Sequence, residues 1–573
     1  MSAGIHYHLS DHPWVAHYPQ GVPLHLDYPA EPAYWLLEEA ARQVPTRVAC
    51  RYFRQEVTYA QLLDRSRRMA AALRTHGLRP GDRVGILLPT IPEYLVALFG
   101  TWMAGGVTIP LNPLMVAEEI AALLRSTACR VVVSLDVLLP LIGADEAVQP
   151  DVVFVVSLQD RLPWWDRLLY TFARIHRLGF LSRLVPKTAI DLEEALDAAS
   201  PVPDPYRPLL NSPANILPTS GTTGTPKGVV LTHANLLANA WQVFHWTRRR
   251  VGEDVVLACL PFCHCYGLTV CGLTAVAMGA TLIMHHRFRA DAILKLIEKR
   301  RPTILPAVPA MLAAFNKVLR RQHHDLSSVQ LCISGGAPLP PDVAAEFAGH
   351  TGAVVVEGYG LSEASPVTHV GPLDGSARPG TIGLPLPDTE ALVVNSITGV
   401  EQLPPGEVGE LIIHGPQVMA GYWNDPVATA STIRDGWLYT GDLATYDADG
   451  FFRIVDRKKD LIITSGWNVY PTDVEQVLRQ YEDVEDIAVL GVPDLERGEL
   501  VKAVVVPKAG HRFSRRGFDE FARKHLEVHK RPRVVDVVPG PLPHNMLGKV
   551  LRRVLHDQPG GANPGTTSAP STT

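Results

Sequence analysis

At 573 residues, with 46% hydrophobic and 19% charged side chains, the chain is too long for one compact core and organises as two to four structural units. A formal net charge of −5 supplies no global basic field, which excludes nucleic acid as a main partner. Seven cysteines scattered through a long chain, and an N-terminus without the apolar core of a signal peptide, point to a reducing, cytoplasmic setting.

Residues 1 to about 30, rich in Pro, His and aromatic side chains, read as an extended arm laid over the body. From Trp35 helices and strands alternate. Apolar residues at helical spacing predict helices over 34–43 and 59–76, and compact β-rich runs predict strands over 83–88 and 130–134. That alternation argues for an α/β layered fold. Residues 160–187 carry six Arg or Lys against two Asp, interleaved with Trp164, Trp165, Leu168, Leu169, Tyr170, Phe172 and Phe180. Basic and aromatic residues together suit a bilayer interface, so peripheral membrane contact is one expectation for this segment, and packing on the protein's own body is the other.

Pro218 to Gly228, PTSGTTGTPKG, packs three glycines, five hydroxyl side chains and a lysine into eleven residues. Glycine lets backbone N–H groups face an anion, hydroxyls add donors, and Lys227 adds a point charge, so the loop is built to hold phosphate. It is not a Walker A loop, because Lys227 lies between Pro226 and Gly228 rather than before Ser or Thr. A strand over 214–217 and a helix from Ala234 predict that the loop sits where a sheet hands over to a helix.

Val255 to Met284 contains no Asp, Glu, Lys or Arg, but Pro261, His264, Gly267, Gly272 and Gly279 divide it into strand, loop, helix and strand rather than a membrane span. Cys263, His264, Cys265 and Cys271 lack zinc-site spacing and read as small buried residues. Ile304 to Phe315 reads as a strand and helix with apolar faces. The small-residue turn Ser334-Gly335-Gly336-Ala337 offers backbone against which a flat base could slide. Glu357-Gly358-Tyr359-Gly360-Leu361-Ser362-Glu363 follows, and then Gly436 to Asp442, the charged run Asp456 to Asp460, Thr464 to Pro471, and Leu542 to Arg553.

The loop at 218–228 resembles the phosphate-binding motif of the adenylate-forming superfamily of acyl-CoA synthetases, luciferases and peptide-synthetase adenylation domains. The later segments resemble its other motifs in family order. Within the superfamily the phrases GPQVMAGYW (415–423), RIVDRKKDLI (453–462) and SGWNVYP (465–471) are closest to bacterial long-chain fatty-acyl-CoA synthetases. The resemblance implies an α/β fold with a large N-terminal domain of layered α/β subdomains (1–455) and a small mobile α+β C-terminal domain (456–558), while the uncharged Gly, Pro, Ser and Thr of 559–573 predict a disordered tail.

It implies that Thr219, Ser220, Gly221, Thr222, Thr223, Gly224 and Lys227 hold ATP phosphates. Gly335, Gly336, Ala337, Glu357, Gly358, Tyr359 and Gly360 would also bind ATP or AMP, with Tyr359 stacking on adenine. Ser362, which stands where threonine is commoner, would bond a phosphate oxygen, and Glu363 with Thr219 would hold magnesium. Asp442 would accept both ribose hydroxyls, Arg457 would touch the ribose, and Lys459 would be the hinge. Lys549 would be the adenylation lysine, in a motif that departs from the family at Asn545 and Leu547, so that Lys549, Glu363 and Thr219 form the catalytic set.

His264, Tyr266, Gly267, Val308 and Gly336 would line the acyl pocket, and Gly466 and Trp467 would meet the pantetheine arm of coenzyme A. The implied reaction consumes a fatty acid, ATP and coenzyme A, long-chain acids being the expected substrate. Medium-chain or aryl acids, or delivery to a carrier-protein thiol, are the alternatives. The oligomeric state stays open, a homodimer being one option.

Overall fold

The computed structural model describes residues 12–142, 148–159, 168, 170, 189–219, 227–511, 513–544 and 550–556. Outside them lie Ser220 to Gly224 of the loop, Lys549, the tail, and the expected membrane-contact segment apart from Leu168 and Tyr170. The architecture is mixed α/β, with a large N-terminal and a smaller C-terminal unit.

The large unit comprises Met1–Ala391, Ile412–Thr440 and Ala448–Phe451. One of its sheets has nine strands, in the order Leu384–Pro385, Val367–Val370, Val354–Gly360, Leu331–Ser334, Ile304–Ala307, Val255–Ala258, Thr281–Met284, Val48–Tyr52 and Gln55–Thr58. The strands from Val354–Gly360 to Val48–Tyr52 pair in parallel, and short antiparallel strands close both edges. Interior strands such as Ile304–Ala307 and Leu331–Ser334 are buried at every position, as continuous apolar runs in a parallel sheet covered on both faces must be.

A second sheet of eight strands runs Gly421–Tyr422, Lys227–Thr232, Pro213–Thr219, Val107–Pro110, Arg83–Leu87, Val131–Leu135, Val152–Val156 and Ala189–Asp191. In the helix Pro92–Met103 only Glu93 is charged and every residue is buried, which is the pattern of a helix enclosed by protein rather than one facing water. Both early predicted helices form, as Trp35–Gln43 and Tyr59–Thr75, the second started by a capping box between Thr58 and Gln61.

The N-terminal arm packs against the large unit from residue 12 onward. Tyr18 donates its hydroxyl to the Pro385 carbonyl at 2.6 Å, and the Asp388 carboxylate takes bonds from the Leu26 amide and the Tyr28 hydroxyl at 2.9 and 2.8 Å. Val255–Met284 divides as its punctuation predicts, into the strand Val255–Ala258, a loop, a π-helical stretch Gly267–Thr274 and the strand Thr281–Met284. No helix among the described residues is long and apolar enough to cross a membrane.

One expectation needs correction. The phosphate loop does not hand a strand directly to a helix. Lys227–Thr232 is itself a strand, antiparallel to Pro213–Thr219, so the loop closes a hairpin and the helix His233–Thr247 starts only afterwards. The β-branched pair Val229-Val230 prefers an extended backbone, and pairing with Gly421–Tyr422 on the other edge of Lys227–Thr232 secures it.

The small unit comprises Leu392–Leu411, Gly441–Asp447 and Phe452–Thr573. Its sheet orders Trp467–Val469, Ile462–Thr464, Gly498–Pro507 and Val484–Asp494, with Val534–Val537 joining Gly498–Pro507 in parallel. Pro471–Leu478 and Arg515–His525 bury Val474, Leu478, Phe518 and Ala522 in a core with Ile487, Val489, Val501 and Ala503.

Candidate active site

The base of the phosphate loop is a short hairpin whose last pair is Thr219 opposite Lys227, with the Thr219 hydroxyl donating to the Lys227 carbonyl at 3.2 Å. A strap over residues 415–424 fastens this hairpin to the Ser362-Glu363 turn. Trp423 N–H donates to the Gly228 carbonyl (2.7 Å) and Ala420 N–H to Val230 (3.0 Å). Met419 N–H donates to the Glu363 carbonyl (2.8 Å), and the Ser365 hydroxyl donates to the Gln417 carbonyl (2.8 Å). Gly228 has no room for a side chain, since a Cβ there would sit 2.8 Å from Ile216 Cγ2.

The strap delivers Tyr422 between two charges. Its hydroxyl donates to Glu363 Oε1 at 2.9 Å, and the Lys227 ammonium stands 4.8 Å from its ring centroid. Burial and the neighbouring Glu363 carboxylate push the phenol's pKa up, so it stays a donor. A cavity of about 190 Å³ opens beside this corner, lined by Ile216, Pro218, Lys227, Gly228, Tyr422 and Trp423 among others. Thr219, Lys227 and Glu363 are thus brought together.

Tyr422 escaped the sequence reading. The phrase GPQVMAGYW marked family likeness without giving the tyrosine a role, although an aromatic directly after a glycine was a signal to weigh.

The residues expected to meet adenine include a second group of neighbours. Ser334 pairs with Glu357 across adjacent parallel strands, which sets the turn Gly335-Gly336-Ala337 beside the end of the Glu357–Gly360 strand. Gly336 has φ +81°, and a Cβ on Gly335 would meet the Tyr266 ring at 3.2 Å, so glycine lets this turn pack closely on Tyr266. Tyr359 is half-buried, its ring 5.9 Å from His369. Gly360 has the Pro366 carbonyl oxygen 2.0 Å from where a Cβ would stand. Glu357 accepts the Leu339 amide at 3.1 Å, and burial raises its pKa to about 7.

Ser362 Oγ lies 3.5 Å from Cys265 Sγ. Burial pushes the Cys265 and Cys263 thiols up to about 11 and about 12, so both are inert neutral thiols. His264 Nε2 is buried without a partner among the described residues, and burial lowers the imidazole's pKa, leaving it neutral. Tyr266 is buried and donates to the Ile333 carbonyl at 2.7 Å. A Cβ on Gly267 would fall 2.2 Å from the Pro261 carbonyl oxygen, so glycine there permits a tight backbone turn. Val308 is buried at the start of the helix Pro309–Leu319.

In the small unit, Asp442 and Arg457 face each other across an antiparallel pair, Oδ1 to Nε 2.8 Å, with Asp442 buried. Lys458 pairs with Glu410 at 2.7 Å, while Lys459 is exposed in the turn Lys458–Asp460. Gly466 has φ +81° with open space beside it, and Trp467 is 60% exposed and stacks on His529 at 4.9 Å. Next to them lies a cavity of about 300 Å³ whose lining includes Trp467, Arg497, His529, Arg531 and Arg533. Arg531 is engaged with the Leu526 and Arg523 carbonyls at the end of the helix Arg515–His525. The sequence reading missed these arginines, because Arg497 and Arg533 meet only through the pairing of distant strands.

Residues 37–423, more than half of the chain, match the AMP-binding enzyme family, and residues 473–549 match the AMP-binding enzyme C-terminal domain. The chain belongs to this family. It is an adenylate-forming enzyme, as its ordered motifs imply. It is 38% identical to the long-chain-fatty-acid–CoA ligase of Bacillus subtilis (strain 168), over 96% of this chain and 98% of that protein. It is also 36% identical to a feruloyl-CoA synthase of an Amycolatopsis species, over 89% and 96%. The crystal structure of ATP-bound MatB from Rhodopseudomonas palustris superposes with a TM-score of 0.80 at 31% identity, covering 92% and 98%. The family match spans the hairpin, the Glu357–Glu363 segment and Tyr422 alike.

The raised Glu357 pKa has a sign that can be tested. Folding makes its ionisation harder, so the protein is at its best below pH 4.5 with respect to this group and loses stability as pH rises through about 7. The shift is worth roughly 3 kcal/mol at full ionisation. Glu357→Gln keeps the acceptor for Leu339 and removes the charge. Its thermal midpoint relative to the parent protein is expected to climb between pH 5 and pH 8, whereas parallel profiles would show that Glu357 ionises freely.

Proposed function

We propose that the protein joins a long-chain fatty acid to coenzyme A with ATP, releasing AMP and pyrophosphate. The observation that carries this reading is the corner where Lys227, paired with Thr219, and Glu363 both contact Tyr422, since an ammonium and a carboxylate gathered at one ring suit a polyphosphate with its cation. Likeness to the Bacillus ligase over nearly its full length supports the long-chain acid as substrate. The feruloyl-CoA synthase relative favours a second reading in which the acid is aromatic.

A carboxylate is a poor acyl donor because its oxygen leaves badly. In the first step one carboxylate oxygen attacks the α-phosphorus of ATP and pyrophosphate departs. In the second the thiol of coenzyme A attacks the carbonyl carbon and AMP departs. Lys227, Ser362 and the donors of residues 219–224 hold the phosphates. Tyr359 stacks on adenine against the Gly335–Ala337 turn, beside Glu357, Gly358 and Gly360. Asp442 accepts the ribose hydroxyls, held in place by its bond to Arg457.

Lys549 offsets charge developing at the α-phosphate and carboxylate. His264, Tyr266, Gly267, Val308 and Gly336 bound the acyl chain, and a neutral His264 nitrogen without a partner among the described residues suits the substrate end.

Hard oxygen donors on Glu363 and Thr219 fit magnesium. No group of three or more His, Cys, Asp or Glu that could hold a metal occurs among the described residues, so phosphate and water would complete its shell. Bound there, it would screen the triphosphate charge.

The domain boundary at 456, the hinge at Lys459, a cytoplasmic setting and membrane contact through 160–187 belong to the same reading. Coenzyme A carries phosphates and an adenine ring, and the small unit's cavity offers arginines beside the Trp467–His529 stack and the Gly466 turn.

Two outcomes test this. Lys549→Ala is expected to lose adenylate formation by about 100-fold or more while still converting supplied acyl-adenylate to thioester, and equal loss of both steps would contradict its role. Replacing Arg497 and Arg533 together by alanine is expected to raise KM for coenzyme A by about tenfold without slowing ATP–pyrophosphate exchange. An unchanged KM would remove the cavity from the acceptor site.

A further inference from the structure

Among the described residues Tyr422 contacts both charged groups at the phosphate corner, and nothing in the adenylation chemistry above uses it. Its backbone is held on every side. Gly421-Tyr422 pairs with Val230 and Val229, and the Tyr422 amide donates to Thr429 Oγ1 at 2.9 Å, itself bonded to the Asp425 carbonyl at 2.8 Å. Gly421 cannot take a side chain, since a Cβ would lie 2.7 Å from Thr429 Cγ2. The ring therefore has a fixed place, with its hydroxyl on Glu363 and its face to Lys227.

Lys227 and Glu363 carry opposite charges on neighbouring segments, each contacts Tyr422, and no ion pair between them occurs among the described residues. In a partly buried corner such a pair is electrostatically favoured and would consume both groups. The phenol satisfies each one differently, by a hydrogen bond to the carboxylate and by its π face to the ammonium. Both contacts are weaker than the ion pair they replace, so nucleotide can displace them.

We propose that Tyr422 is a positioning residue for adenylation, a spacer that keeps Lys227 and Glu363 from neutralising each other and orients the Glu363 carboxylate toward the phosphate site. This rests on the reading of that site given above. Tyr422→Phe removes the bond to Glu363 and keeps the ring face, whereas Tyr422→Leu removes both and lets the charges pair.

The test is a double-mutant cycle with two half-reactions. Tyr422→Phe is expected to lower kcat/KM for ATP–pyrophosphate exchange by about tenfold, and Tyr422→Leu by more. Thioester formation from supplied acyl-adenylate, which needs no triphosphate, keeps its rate and reports intact folding. Because Tyr422 acts through Glu363, Tyr422→Phe combined with Glu363→Gln is expected to lose no more than Glu363→Gln alone. Calorimetric binding of ATP in excess EDTA is expected to weaken for Tyr422→Leu, where Lys227 is withdrawn, and to hold for Tyr422→Phe.

Additive losses in the double mutant, or equal loss in both half-reactions, would overturn the spacer role. Parent-like exchange in Tyr422→Phe, when Glu363→Gln is impaired, would overturn it too and leave the phosphate site standing. Exchange unaffected by Glu363→Gln itself would bring down the phosphate-site reading beneath it.

Discussion

The hydrogen bonds of the strap over residues 415–424 are the constraint on which the candidate site depends. Through Trp423 and Ala420 the strap grips the strand that leaves the phosphate loop, and through Met419 and Gln417 it grips the turn carrying Ser362 and Glu363. The hairpin and the turn belong to different sheets and are about 130 residues apart in the chain. The strap gives a lysine on one and a carboxylate on the other a common fastening. Backbone bonds are suited to this because their spacing does not depend on rotamers.

The chemistry explains why the separation matters. Polyphosphate carries dense negative charge, and the reaction adds a further carboxylate. At about 4 Å and an effective dielectric of 20, two unit charges interact by about 4 kcal/mol, enough to change a rate by several hundredfold if it acts on the transition state alone. A corner that spends its ammonium on its own carboxylate forfeits that contribution. Placing a neutral, polarisable phenol between them keeps both charges on hand.

Much of the fold was legible because its signals are local. Helical spacing over 59–76, glycine and proline punctuation through 255–284, and dense apolar runs in the parallel strands are properties of a few consecutive residues. The hairpin after the phosphate loop was misread because Lys227–Thr232 is six residues long and its identity as a strand is secured by two partners, one of them nearly 200 residues later. The same limit hid Tyr422 and the arginines near Trp467. A motif discloses which residues belong together in a family, whereas the bond from Tyr422 to Glu363 and the pairing of Asp442 with Arg457 arise from strand register, which spacing does not encode.

In the proposed reaction the acid is activated by bonding its own oxygen to the α-phosphorus of ATP before the thiol attacks. The most direct measurement is to supply a long-chain fatty acid with both carboxylate oxygens as ¹⁸O, together with ATP and coenzyme A, and read the label by mass spectrometry. The account predicts ¹⁸O in AMP, one atom per turnover, and none in pyrophosphate. Label in inorganic phosphate accompanied by ADP would mean attack at the γ-phosphorus and would contradict it.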